Sequence, residues 1–317
     1  MPYFKKHFGV IADSSARRVS VFDTDTLTYL QHIPLDADVI DVALTSDCRR
    51  AVVSSFASKT IFQIDVSGIP ARVAGSATTT TFLEDVQITP DDMFALSVDG
   101  SGEDQAIVAY DLKTNTFAST LPTSAQAVAI SPTCSGLVLT AVTNNDSVHR
   151  FMIDRCGDLT DTGQLFPAGE SPININFSPD GKFAFVANFT GAVSVLSTAR
   201  SDNISLISTV PTAGPVQSMA ISRDGRHLFV LGSSDVYIFT FDPVSGALAL
   251  ARSFAHGLQI RSFFGVDQIA LDSSETRLFI SAVGQVAVFT TFGALLGTVT
   301  GVSGPGGLAL CTHKCFD

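Results

Sequence analysis

Tryptophan is absent from this sequence, although phenylalanine occurs 24 times. Aromatic packing therefore rests on Phe. Charge is scarce as well: Asp, Glu, Lys and Arg make up 15% of the chain against 45% apolar residues, which excludes a disordered chain and supplies ample core. Basic residues are the scarcer sign, 19 against 30 acidic, for a net charge of −11. Such a surface repels phosphate backbones and anionic headgroups, so no nucleic-acid partner is expected. The one basic cluster, Lys5-Lys6-His7, is too short to change that. No run approaches the ~18–20 consecutive apolar residues of a membrane span, so none is expected. The stretch MPYFKKHFGVIADSS lacks a hydrophobic core of signal-peptide length. As given, the chain is expected in the cytoplasm, or exported if a signal has been removed.

Cysteine is sparse too. Five residues, an odd number in a chain this long, do not form a disulfide framework. Cys134 and Cys156 fall in turns at one end of a single repeat, where a bond between them is open. Cys311-Thr-His-Lys-Cys315 has no second cluster to complete a metal tetrahedron, and reads as free thiols.

Helix signals are nearly absent, and Gly, Pro, Asn and Asp punctuate the chain every ~8–12 residues. What is present instead is a repeat. Residues 177–198, FSPDGKFAFVANFTGAVSVLST, pair a polar turn with the apolar run Phe183–Ala187, then a second turn with Val193–Leu196. Met219-Ala-Ile-Ser-Arg-Asp-Gly-Arg-His-Leu-Phe-Val230 repeats the first half, and further copies start at Val42, Val86, Val128 and Ile269. The polar residue ending each first strand marks the register: Thr45, Thr89, Ser131, Ser178, Ser222 and Asp272, with Cys311 after the last, at intervals of 39 to 50 residues. Length alone, at 317 residues, suggests about two domains of ~150 residues, but the repeat overrides it.

A period of ~40–50 residues with four strands per unit is that of a propeller blade. Phe8–Ala12 and Val19–Phe22 look like a second and third strand without a first, and Leu308–Leu310 like a first strand without successors. Joined, they make a seventh blade. The predicted fold is therefore all-β: a single seven-bladed β-propeller over residues 1–317, with four-stranded antiparallel blades and the ring closed by the C-terminal strand joining the N-terminal ones. Closure removes the unpaired edges of an open sheet, and a monomer is expected. Ala43, Ala129, Ala220, Ala270 and Ala309 in the first strands suit a narrow centre.

Phe177–Ser197 resembles the YVTN-type propeller repeat, with Phe185-Val-Ala-Asn188 where that family has Tyr-Val-Thr-Asn. The lack of Trp argues against the WD40 type. Phe241-Asp-Pro-Val-Ser-Gly-Ala-Leu248 and Asp154-Arg-Cys-Gly-Asp-Leu159 resemble the lactonase-like propellers, the group that contains bacterial 6-phosphogluconolactonase. The resemblance spans nearly the whole chain at repeat level and implies the fold. It carries over no catalytic residue, and many YVTN-type proteins are surface or periplasmic binding proteins. It therefore implies either a binding or scaffold protein taking a small molecule or protein partner, or a hydrolase opening a sugar lactone.

Propeller ligands usually enter at one channel mouth, which the sequence places at the loops entering the first strands. Aligned entry positions put Asp41, Asp85, Asn174, Ser218 and Gln268 in one ring, and Glu84, Gln126, Gln217 and Asp267 just before it. With Asp38, five carboxylates converge. No cofactor is required, but Asp41, Asp85, Glu84 and Asp267 are the expected ligands if the mouth holds Ca²⁺, which prefers several oxygens. The alternative is ordinary solvated polar positions. The long loop Ser253–Asp267 should lie on the same mouth and brings His256, Arg261, Phe263 and Phe264. In the hydrolase reading His256 is the general base, Arg261 clamps an anion, and Asp267 or Glu84 supplies a carboxylate. A second loop, Asp99-Gly-Ser-Gly-Glu-Asp104, reads as a surface turn.

Overall fold

The computed structural model describes residues 7–100, 105–133, 135–261 and 265–311. Among them, the strands form seven four-stranded antiparallel sheets, and the one helical element is a 3₁₀ turn at Thr143–Asn145. This is a seven-bladed β-propeller. In blade 1, Pro305–Leu310 pairs with Phe8–Asp13, followed outward by Arg18–Asp23 and Thr28–Pro34. Each of blades 2 to 7 is continuous in sequence, with innermost strands Val39–Leu44, Val86–Ile88, Ala127–Ile130, Pro172–Phe177, Val216–Ile221 and Ile269–Leu271. The ring closes as the repeat arithmetic requires.

The middle strands are buried on both faces, which is why they read as unbroken Val, Ile and Phe runs. Phe183–Asn188 has no exposed position. The outermost strands alternate instead: Thr116–Pro122 switches between exposed and half-buried at every residue, because one face meets a neighbour and the other meets water. Seven apolar clusters fill the wedges between blades.

The register residues build a recurrent turn. Thr45, Thr89, Ser178 and Ser222 each donate a hydroxyl hydrogen bond to the Asp two residues on, at 2.6–2.7 Å. Each also accepts the backbone N–H five residues on, at 2.9–3.1 Å. In blade 7 Asp272 takes the hydroxyl's place and accepts directly from the N–H groups of Thr276 and Arg277. In the described turns of blades 2, 3, 5, 6 and 7 the third residue after the register position is left-handed. It is Gly181 (φ 70°) and Gly225 (φ 68°), but also Cys48, Asp92 and Glu275 (φ 56–57°).

That position faces the preceding blade. A Cβ on Gly181 would meet Thr133 Cγ2 at 2.8 Å, and one on Gly225 would meet Pro179 Cδ at 3.2 Å. Where a side chain stands there, it bridges the same gap. Asp92 accepts from the N–H and hydroxyl of Ser46, and Glu275 accepts the N–H of Arg223. Cys48 forms a disulfide with Cys311. The expectation of free thiols near the C-terminal end is thereby corrected for Cys311: the residue just after the closing strand is bonded to blade 2. Cys156 is an exposed free thiol, so it is not joined to Cys134. Cys134 and Cys315 lie outside the described residues.

Candidate functional site: the central channel

Two rings of inner-strand side chains line the centre. Four residues before the register position stand Asp41, Asp85, Asn174, Ser218 and Gln268, and all of these are buried. They do not open to solvent at the entry mouth, contrary to the sequence expectation. The segment 265–267, between blades 6 and 7, lies across the channel at that level. The Gly265 carbonyl accepts from Asn174 Nδ2 of blade 5 (3.1 Å), and a Cβ on Gly265 would meet Gln126 O of blade 4 at 2.1 Å. Asp267 Oδ2 accepts from Gln87 Nε2 of blade 3 (2.9 Å), and the Asp267 carbonyl accepts Leu308 N–H of blade 1. A loop contacting four blades beyond its own pair is a plug.

Under the plug the acidic residues meet in part. The Asp41 and Asp85 carboxyl groups are neighbours, close enough for each to perturb the other. Asp41 Oδ2 accepts Val86 N–H (3.1 Å), Asp85 Oδ2 accepts Val128 N–H (2.7 Å), and Asp41 Oδ1 is unpartnered. Burial, then the nearby Asp267 charge, pushes Asp41 up to about 8. Burial and the Asp41 and Asp267 charges lift Asp85 well above the carboxylate range. Burial raises Asp267 too, opposed by its bonds from Gln87 and Asn174. Glu84 stands half-buried beside this group, its carbonyl accepting Ser54 Oγ at 2.6 Å. Among the described residues no group of three or more His, Cys, Asp or Glu side chains is spaced to hold a metal ion.

The other hydrolase candidates point elsewhere. His256 is buried, its Nε2 within 3.1 Å of the Gly232 carbonyl and its Nδ1 accepting Leu258 N–H at 3.0 Å. This fixes the neutral Nε2–H tautomer, and burial lowers the ring's basicity further. Arg261 reaches Ser14 Oγ of blade 1 at 3.3 Å. Phe263, Phe264 and residues 101–104 lie outside the described residues.

The cavity opens at the opposite end. It measures about 440 Å³ and runs from Asp267 and Gln87 to Arg223, Asp272 and Glu275 beside the register turns. Its waist is the second ring, two residues before the register position. Ala43, Ala220, Ala270 and Ala309 line it, joined by Gln87 and Asn176. The alanines were legible as a narrow centre. The two amides were not singled out, though they break a column of alanines at aligned positions, and that break was the available signal.

No protein-family model and no curated protein matches the chain. Among solved structures, a protein of unknown function from Desulfotomaculum acetoxidans is 40% identical, with a TM-score of 0.95 over 97% of this chain and 100% of that one. The periplasmic gluconolactonase of Pseudomonas aeruginosa is 16% identical with a TM-score of 0.77, over 96% of this chain and 98% of that one. A Bacteroides fragilis protein proposed to be a 6-phosphogluconolactonase is 17% identical with a TM-score of 0.76, over 96% and 97%. At such identities the last two share the fold: this chain is similar to lactonase-like seven-bladed propellers.

Proposed function

Because the chain belongs to one family with the Desulfotomaculum acetoxidans protein, itself without a known function, its activity must be argued from the channel, and we propose a YVTN-type binding propeller that takes a small molecule there. The observation carrying this reading is the 440 Å³ cavity, walled by alanine and aliphatic side chains and floored by Asp267 and Gln87. A concave space with a few converging polar groups is the usual form of a small-molecule site. The site thus lies at the open end of the channel, below the plug, rather than among the strand-entry loops.

The test is a thermal-shift screen with a small-molecule panel against wild type and Ala220→Phe, whose ring would fill the waist. A ligand of the channel raises Tm of wild type by linkage and leaves the variant unmoved. A panel whose every hit survives Ala220→Phe would remove the proposal.

The second reading is a lactonase-like hydrolase, favoured by the fold shared with the Pseudomonas gluconolactonase. It would require His256, Arg261 and Asp267 or Glu84 to act together. The two backbone bonds on the His256 ring weigh against it, and so does the single cationic residue, Arg223, among those lining the cavity. Proton release from gluconolactone and 6-phosphogluconolactone above the spontaneous rate, lost in His256→Ala, would reverse the order of the two readings.

A further inference from the structure

The polar atoms at the inner end of the cavity are of one kind. Gln87 uses its Nε2 to donate to Asp85 Oδ1 (3.3 Å) and Asp267 Oδ2 (2.9 Å). Asn176 uses its Nδ2 to donate to Asn174 Oδ1 (3.2 Å) and Met219 O (3.4 Å). Each amide is thereby oriented by its nitrogen, and no described residue donates to its oxygen. Asp267 Oδ1 receives one long bond, 3.4 Å from Asn174 Nδ2. The inner end thus offers a carboxylate and two amide oxygens, with no donor turned to the cavity. The charged groups facing Asp267 are the carboxyls of Asp41 and Asp85. Arg223, Asp272 and Glu275 stand at the open end. Above the acceptors the wall is aliphatic: Ala43, Ala220, Ala270, Ala309, Ile269 and Leu308.

An acceptor-only floor selects for donors, and its net charge selects for a cation. A bare Ca²⁺ needs ~6–8 oxygen ligands, which three polar side chains under an alanine wall do not supply. An ammonium or amidinium group carries its own N–H donors and needs only a few acceptors, and its hydrocarbon body matches the wall. Building on the channel reading, we infer that the ligand is an organic cation with N–H donors on an apolar body, its charged end at Asp267 between Gln87 and Asn176.

The experiment is calorimetric titration of the whole protein at pH 8 with phenethylamine, phenethyl alcohol, 3-phenylpropionate and CaCl₂. The amine is expected to bind at least about tenfold more tightly than the alcohol, the worth of about 1.4 kcal/mol. That margin should collapse in Asp267→Asn, and all organic binding should vanish in Ala220→Phe. A folded Asp267→Asn is confirmed by its circular dichroism. If that variant does not fold, titration of wild type with the N,N,N-trimethyl derivative of phenethylamine replaces it, since an acceptor floor holds the amine through its N–H donors and a quaternary cation has none. Equal affinity of amine and alcohol, a quaternary cation bound as tightly as the amine, or preference for the carboxylate or Ca²⁺ would overturn the cation inference. If the preferred compound is still lost in Ala220→Phe, the channel reading stands. If no compound in the panel is sensitive to Ala220→Phe, both fall.

Discussion

Asp41 is a carboxyl fully withdrawn from water. Its proton is held by burial and by the Asp267 charge, so the folded state binds it at about 8 rather than 3.8. A carboxyl raised in this way stabilises the fold fully at low pH, below the unfolded value. That contribution is lost as pH rises through 8. Asp85, raised for the same reasons, acts in the same direction. Melting temperature is therefore expected to fall between pH 6 and 9.5 by several degrees, and Asp41→Asn, which cannot ionise, should flatten the slope. Scanning calorimetry of both proteins across that range checks it. A wild type whose Tm holds level to pH 9.5 would mean these carboxyls are not kept protonated. Nothing in residue type alone announces this: an aspartate at a strand entry reads as solvated until a loop from another blade covers it.

At the scale of the element, the register turn is the unit that both makes a blade and links it to the one before. Its hydroxyl–carboxylate–amide bonds follow from spacing, so Ser178-Pro-Asp-Gly and Thr89-Pro-Asp-Asp were legible as turns. The inter-blade role of the left-handed residue was not, because a partner ~46 residues away is invisible to local turn chemistry. Asp92 separates the two roles. Asp92→Gly loses the bonds to Ser46 but relieves the left-handed conformation, whereas Asp92→Ala loses the bonds and keeps the strain. Stability should therefore fall by about 1–2 kcal/mol in the Ala variant, and the Gly variant should lie between it and wild type. Urea denaturation would rank the three, and an Ala variant as stable as the Gly variant would contradict the assignment.

For the molecule as a whole, what decides integrity is the closure of the ring. The mixed blade was readable because two sequence fragments lacked complementary strands. The bond that locks it was not, since Cys48 and Cys311 are 263 residues apart and Cys311 reads locally as one of two thiols with Cys315. The plug across the channel was likewise hidden, as its contacts on blades 1, 3, 4 and 5 depend on where a long loop falls in three dimensions. Cys48→Ser should cost about 2–4 kcal/mol, the typical worth of a disulfide. Urea unfolding with and without a dithiol reductant would measure it. A midpoint indifferent to both substitution and reductant would show that strand pairing alone secures the ring.

The same disulfide changes what a broken chain would be. Residues 48 to 311 form one covalent circle, with everything before and after them as tails. A single protease cut inside that span turns the circle into a line without dividing the molecule. Six of the seven blades lie wholly or largely within it, so damage at almost any loop leaves the pieces tethered, with closure able to re-form between strands that cannot drift apart. For this propeller, loss of a peptide bond becomes loss of the molecule only when the thiols are also reduced.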